Sequence, residues 1–220
     1  MRGSAPSLFV ALLLGVGPWL SLACGDTAAG RPVTEAAADD PIDFGSVGDF
    51  ELVERGGRTV RLADLRGRTW IVDFIFTTSA GPCTKISEGM RELKAELEAD
   101  GDSGIGLLSF SVDPLTDDVP TLANYGERWG ADPDRWWFLT GEEADIHRLM
   151  RESFLLGVER DASGRAAPGQ QVTHATRFVV VDPAGRLRGY YDGRSEEGRR
   201  LALERARAVH RAADGTAARR

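Results

Sequence analysis

Polar and apolar residues alternate in two short stretches, Phe50-Glu51-Leu52-Val53 and Thr59-Val60-Arg61-Leu62, with Arg55-Gly56-Gly57-Arg58 between them. Alternation on both sides of a Gly-Gly turn predicts a β-hairpin. From Trp70 to Phe76 the alternation gives way to β-branched and aromatic residues, the pattern of a strand buried on both faces. The period then changes. Ile86, Met90, Leu93 and Leu97 recur at helical spacing, which predicts a helix over 84–100 with one buried stripe. A second buried strand is expected over 105–112, closing at Asp113-Pro114. Residues 121–129 read as a helix, 136–139 as a short strand and 142–154 as another helix. The Gly-, Ala- and Arg-rich stretch 157–171 reads as a loop or irregular hairpin. Two strands, 178–181 and 187–191, flank the turn Asp182-Pro183-Ala184-Gly185, and a closing helix is expected over 195–210.

Strands alternating with helices in this order predict an α/β fold: a mixed central sheet flanked by helices, with an N-terminal hairpin and an inserted loop or hairpin near 157–171. A buried strand that turns through Gly-Pro-Cys into a helix, followed by a closing hairpin and helix, looks like a thioredoxin-like fold. The 220 residues suffice for one domain with some tail. That domain is expected over 42–212, with a frayed tail at 213–220.

Ahead of it, Arg2 and the apolar stretch LFVALLLGVGPWLSL over 8–22 form a signal-peptide pattern, too short and too interrupted for a membrane span. The stretch ends at Leu22-Ala23-Cys24-Gly25, which resembles the lipobox of bacterial lipoproteins. This predicts a leader over 1–23, lipidation at Cys24 and a flexible Ala-, Gly- and Asp-rich tether over 24–41. Ordinary cleaved secretion and an uncleaved anchor are the alternatives. All three place the domain outside the cytoplasm, at the envelope of a bacterial cell and facing the periplasm or extracytoplasmic side.

The formal net charge of -7 argues against a nucleic-acid binder, which must neutralise phosphates. With only two cysteines, Cys24 and Cys83, the chain is no disulfide scaffold and holds no all-cysteine cluster. Cys83 follows Pro82 where a buried strand hands over to a helix. A thiol there meets the unpaired amides of the first helical turn, which favour the thiolate, at once a nucleophile and a soft-metal ligand. The plain alternative is a buried inert cysteine. His174 stands just before the strand at 178–181, whereas His147 and His210 lie in polar helices and read as ordinary satisfied or surface residues. Trp129, Trp136 and Trp137 read as core or rim aromatics.

The run Asp73-Phe74-Ile75-Phe76-Thr77-Thr78-Ser79-Ala80-Gly81-Pro82-Cys83, then Ser111-Val112-Asp113-Pro114, then Thr173-His174 before a Val-rich strand and Asp182-Pro183-x-Gly185, resembles the Sco/SenC family. The resemblance implies a membrane-tethered, thioredoxin-fold copper protein that helps assemble the binuclear copper centre of cytochrome c oxidase. The family holds copper through Cys-x-x-x-Cys and one distant histidine. By position this makes Cys83 and His174 the ligands and puts Ser79 where the first cysteine stands. Asp113 would lie near them, supporting the site without binding. Cu(I) prefers thiolate and imidazole to a neutral hydroxyl, so the site is expected to be weakened. A single thiol cannot cycle between dithiol and disulfide within the chain, so a metallochaperone is expected rather than an enzyme. Its partner would be an oxidase subunit or another copper carrier. Two other readings stand beside this one: a one-cysteine thiol redox enzyme that attacks peroxide or a mixed disulfide, and a non-catalytic interaction module.

Overall fold

The computed structural model describes residues 42–79, 84–167 and 169–217. The expected leader, the lipidation site Cys24, the tether and the candidate ligand Cys83 lie outside the described residues.

Strands β1 (Glu51–Glu54) and β2 (Thr59–Arg61) form the expected N-terminal hairpin, followed by a one-turn helix α1 (Leu62–Leu65) that alternation did not announce. Strand β3 (Thr69–Ile75) is buried at every position. Helix α2 (Thr84–Ala99) turns Ile86, Met90, Leu93 and Leu97 inward, and strand β4 (Ile105–Ser111) returns parallel to β3. Helix α3 (Val119–Arg128) starts where Asp118 accepts the Thr121 amide at 2.8 Å and Pro120 occupies the first turn, whose amides lack partners in the helix. Strand β5 (Trp136–Thr140) leads to helix α4 (Glu143–Arg148), which widens into a π-helical turn (Leu149–Ser153) instead of remaining regular. Leu155 then takes a left-handed backbone, φ 53°, and turns the chain into the next element.

In that element the stretch 157–171, expected as a loop or irregular hairpin, takes the hairpin form. Strands β6 (Val158–Arg160) and β7 (Val172–His174) pair as a separate antiparallel hairpin, and His174 belongs to it rather than to the connector that follows. Strands β8 (Arg177–Val181) and β9 (Leu187–Asp192) flank a turn in which Gly185 takes φ 84° and Asp182 accepts the amides of Ala184 and Arg186. Helix α5 (Glu196–Ala217) runs past the expected end at His210. The segment beyond is rich in alanine, and His210 meets Asp214 one turn later at 3.3 Å.

Seven strands form one mixed sheet in the order β2-β1-β5-β4-β3-β8-β9. Side chains alternate across it. Trp70, Val72, Phe74 and Phe76 join Phe110, Ile146, Leu149, Phe154, Val158 and Val172 on one face. Ile71 and Ile75 join the buried stripes of α2, α3 and α5 on the other. The architecture is the expected α/β layering, with the small hairpin packed over the first face. No described helix is long and apolar enough to cross a membrane.

Candidate metal centre

Two of the candidate residues, Ser79 and His174, are placed around the segment that follows β3. Phe76 is buried on the hairpin side of the sheet, and the chain turns at once: the Ser79 amide donates to the Phe76 carbonyl at 3.2 Å. The Phe76 ring meets the His174 imidazole edge to face, centroids 5.7 Å apart. One residue thus adjoins both Ser79 and His174, which stand nearly a hundred positions apart in the sequence.

The two side chains share one chemical feature. The Ser79 Oγ and His174 Nε2 atoms are both buried, and neither has a hydrogen-bond partner among the described residues. A buried polar atom left unsatisfied costs stability, so its persistence asks for a role. For the imidazole the geometry suggests one. His174 Nδ1 lies 3.2 Å from the Ala175 carbonyl, and a carbonyl can only accept. Nδ1 therefore carries the proton and Nε2 the free lone pair, the tautomer a metal ligand needs. Burial pushes the His174 pKa below its ordinary 6.5, outweighing the Ala175 hydrogen bond that raises it, so the ring is neutral at pH 7.

Beside Ser79 opens a cleft of about 220 Å³ lined by Thr77, Ser79, Thr84, Tyr125, Arg128 and Trp129. It faces α2 and α3, and His174 is absent from its described lining, being reached instead through Phe76 on the other side. Among the described residues no cluster of three or more His, Cys, Asp or Glu side chains could hold a metal ion. The described part of the site contributes one imidazole and one hydroxyl. Cys83 directly precedes the first residue of α2 in sequence.

Asp113, expected nearby, lies two residues beyond β4, but its side chain pairs with Arg160 of the hairpin. Arg160 also reaches Glu143 Oε2 at 2.7 Å through Nε and Nη2. Four residues later, Asp117 is fully buried and accepts Thr77 Oγ1 at 2.5 Å, Ser111 Oγ at 2.6 Å and the Thr77 amide. Burial raises the Asp117 pKa against those hydrogen bonds. Sequence reasoning missed Asp117, Arg160 and Glu143. The spacing Asp113-x-x-x-Asp117 was a visible signal, but Arg160 lay in a stretch read as irregular. His147 is a satisfied core residue as expected, its Nε2 2.9 Å from the Val112 carbonyl. Trp136 is fully buried, while Trp129 and Trp137 pack at the margins of the two core clusters.

A model of the SCO1/SenC family matches residues 40–209. The chain is 30% identical over 155 residues to the SCO1 protein homolog of Bacillus subtilis, covering 70% of this chain and 77% of that one. It is 26% identical over 145 residues to a Stutzerimonas stutzeri protein named for copper binding, covering 66% of this chain and 68% of the other. It superposes with a TM-score of 0.67 and 26% identity on the structure of BsSco, covering 78% of this chain and 96% of that one. BsSco is described as carrying a disulfide switch and as a member of the Sco family of cytochrome c oxidase assembly proteins.

Proposed function

The chain belongs to the SCO1/SenC family and has its thioredoxin-like fold, and on that premise we propose that it is an envelope copper-binding protein serving assembly of the binuclear copper centre of cytochrome c oxidase through an altered site. Cys83 and His174 are the ligands, and Ser79 occupies the place of a cysteine. Copper is carried as cargo and passed to an oxidase subunit or another copper carrier. The observation that supports this most is His174: a buried, neutral imidazole with one nitrogen committed to a backbone carbonyl and the other bare.

One thiolate and one imidazole suit Cu(I), which accepts low coordination and soft donors. The Ser79 hydroxyl is hard and neutral and adds little. The substitution also removes the partner for an intrachain disulfide, so any thiol exchange at Cys83 needs a thiol from another molecule. The protein therefore delivers metal without internal redox cycling, which is the respect in which it departs from a relative with a disulfide switch.

The test is Cu(I) titration of the domain from residue 42 onward under reducing conditions. Cys83→Ala and His174→Ala are each expected to weaken binding at least about tenfold, and Ser79→Cys to strengthen it by at least as much. Equal affinity in wild type and both alanine variants would exclude the assignment.

A further inference from the structure

The hairpin that carries His174 has no backbone ladder to the seven-stranded sheet. Its side chains therefore decide where the imidazole sits. The register pairs Val158 with His174 and Arg160 with Val172. Residues two apart on a strand share a face, so all four side chains lie on one face of the hairpin. Val158 and Val172 are buried in the core beneath. Apolar burial is non-directional: it holds the hairpin down but does little to fix its slide along the sheet.

Arg160 supplies the direction. Its guanidinium pairs with Asp113, whose side chain is 1% exposed, and with Glu143 at the start of α4. Those bonds draw the hairpin, the end of β4 and the start of α4 to one point. The guanidinium is rigid and its bonds to carboxylates are charge-assisted, so they set position as well as energy. Asp113 then passes that position on. Its carbonyl accepts the amides of Thr116 at 3.0 Å and Asp117 at 2.9 Å, and Asp117 grips Thr77, two residues before Ser79. One turn, 113–117, is thus tied to the His174 hairpin on one side and to the Ser79 segment on the other.

We infer that Arg160 is a positioning residue for His174: by clamping the hairpin to Asp113 and Glu143 it sets the imidazole against the Ser79 end of β3 and thereby tunes how tightly the site holds a soft metal ion. The metal part of this inference rests on the copper reading above; the clamp itself does not.

Two readouts keep them apart. The first needs no metal. The amides of Asp161 and Ala175 donate to Gln171 at 2.9 Å and to Gly157 at 3.0 Å, at the margins of the hairpin. In metal-free protein, Arg160→Met is expected to speed hydrogen exchange at both amides about tenfold and to shift the His174 ring resonances, with β3 and β4 amides unchanged; Arg160→Lys restores part of the protection. The second readout is Cu(I) affinity. Arg160→Met is expected to weaken binding about tenfold alone and to add nothing in a His174→Ala background, because the clamp acts through that ring. Unchanged exchange and ring resonances in Arg160→Met overturn the clamp, and an equal affinity loss with and without His174 overturns its action through the imidazole. Wild-type affinity in His174→Ala overturns the copper reading while the exchange data still judge the clamp. Should Arg160→Met unfold the domain, Glu143→Gln, which keeps the Asp113 pair, carries the exchange test: about threefold faster exchange supports the clamp and no change refutes it.

Discussion

Asp73 occupies a position where β3 presents Ile71 and Ile75 to the helices, and it is fully buried among apolar residues. Its Oδ1 accepts the Ser109 hydroxyl at 2.5 Å, which accepts Trp136 Nε1 at 2.9 Å, while Oδ2 has no partner among the described residues. Burial raises its pKa from the ordinary 3.8 to about 7, only partly offset by the Ser109 hydrogen bond. Between those two values the folded protein holds a proton that the unfolded chain has released. Stability therefore falls as pH rises from about 4 to about 7 and is level above, a total on the order of 4 kcal/mol. Asp73→Asn, neutral at every pH, is expected to flatten that slope and to be the more stable form at pH 8. Denaturant midpoints measured at pH 5 and pH 8 check this; parallel pH curves for the two proteins would refute it. The same residue shows the limit of reading a strand pattern. Burial of the run 70–76 was legible from its composition, but a charged residue within it gave no sign of being wholly enclosed.

At the scale of elements, the turn between β4 and α3 ties the candidate centre together. The buried Asp117 carboxylate gathers Thr77 and Ser111, and its backbone carbonyl accepts the Thr140 hydroxyl at 2.8 Å, so β3, β4 and β5 meet at one residue. Hydrogen bonds to a charged group contribute more than neutral ones, and Asp117→Ala leaves several donors unpaired. It is expected to cost about 2–3 kcal/mol and to speed exchange of the Thr77 amide selectively. Loss of stability with Thr77 exchange unchanged would show that the turn does not hold the Ser79 segment. Periodicity located the strands and helices within a few residues because it depends on near neighbours. The hairpin at 158–174 was legible only as a loop or irregular hairpin because each strand is three residues long, too short for alternation to register. The end of α5 escaped it because a mobile tail and an alanine-rich helix look alike in composition.

For the molecule as a whole, the first described residues run beside the β8–β9 turn: the Val47 amide donates to Gly185 at 2.9 Å, and Phe44 to Leu187 at 3.1 Å. Because Trp70 pairs with Val181, this is the end of the sheet where β3 begins, remote from Ser79 beyond its far end. Ahead of these residues the sequence leads to the expectation of a lipid anchor at Cys24. Cys24→Ala is expected to move the protein from the membrane fraction to the soluble one without altering the thermal midpoint of the domain. Persistent membrane association would refute the lipid attachment.

The order of the main elements, the two-faced burial of β3, the apolar stripe of α2 and the place of Cys83 after Pro82 were readable in the linear chain, because they depend on residue type and on spacings of a few positions, which local backbone geometry converts directly into faces and turns. Ser79, His174 and Asp113 became candidate chemistry only through the resemblance to the Sco/SenC family. Folding alone decided which nitrogen of His174 is bare, that Asp113 answers to Arg160 across 47 positions, and that Asp117 holds Thr77 across 40. Pairings so distant in sequence follow from how the hairpin and the turn are laid over the sheet, and no local pattern encodes where two remote side chains will meet.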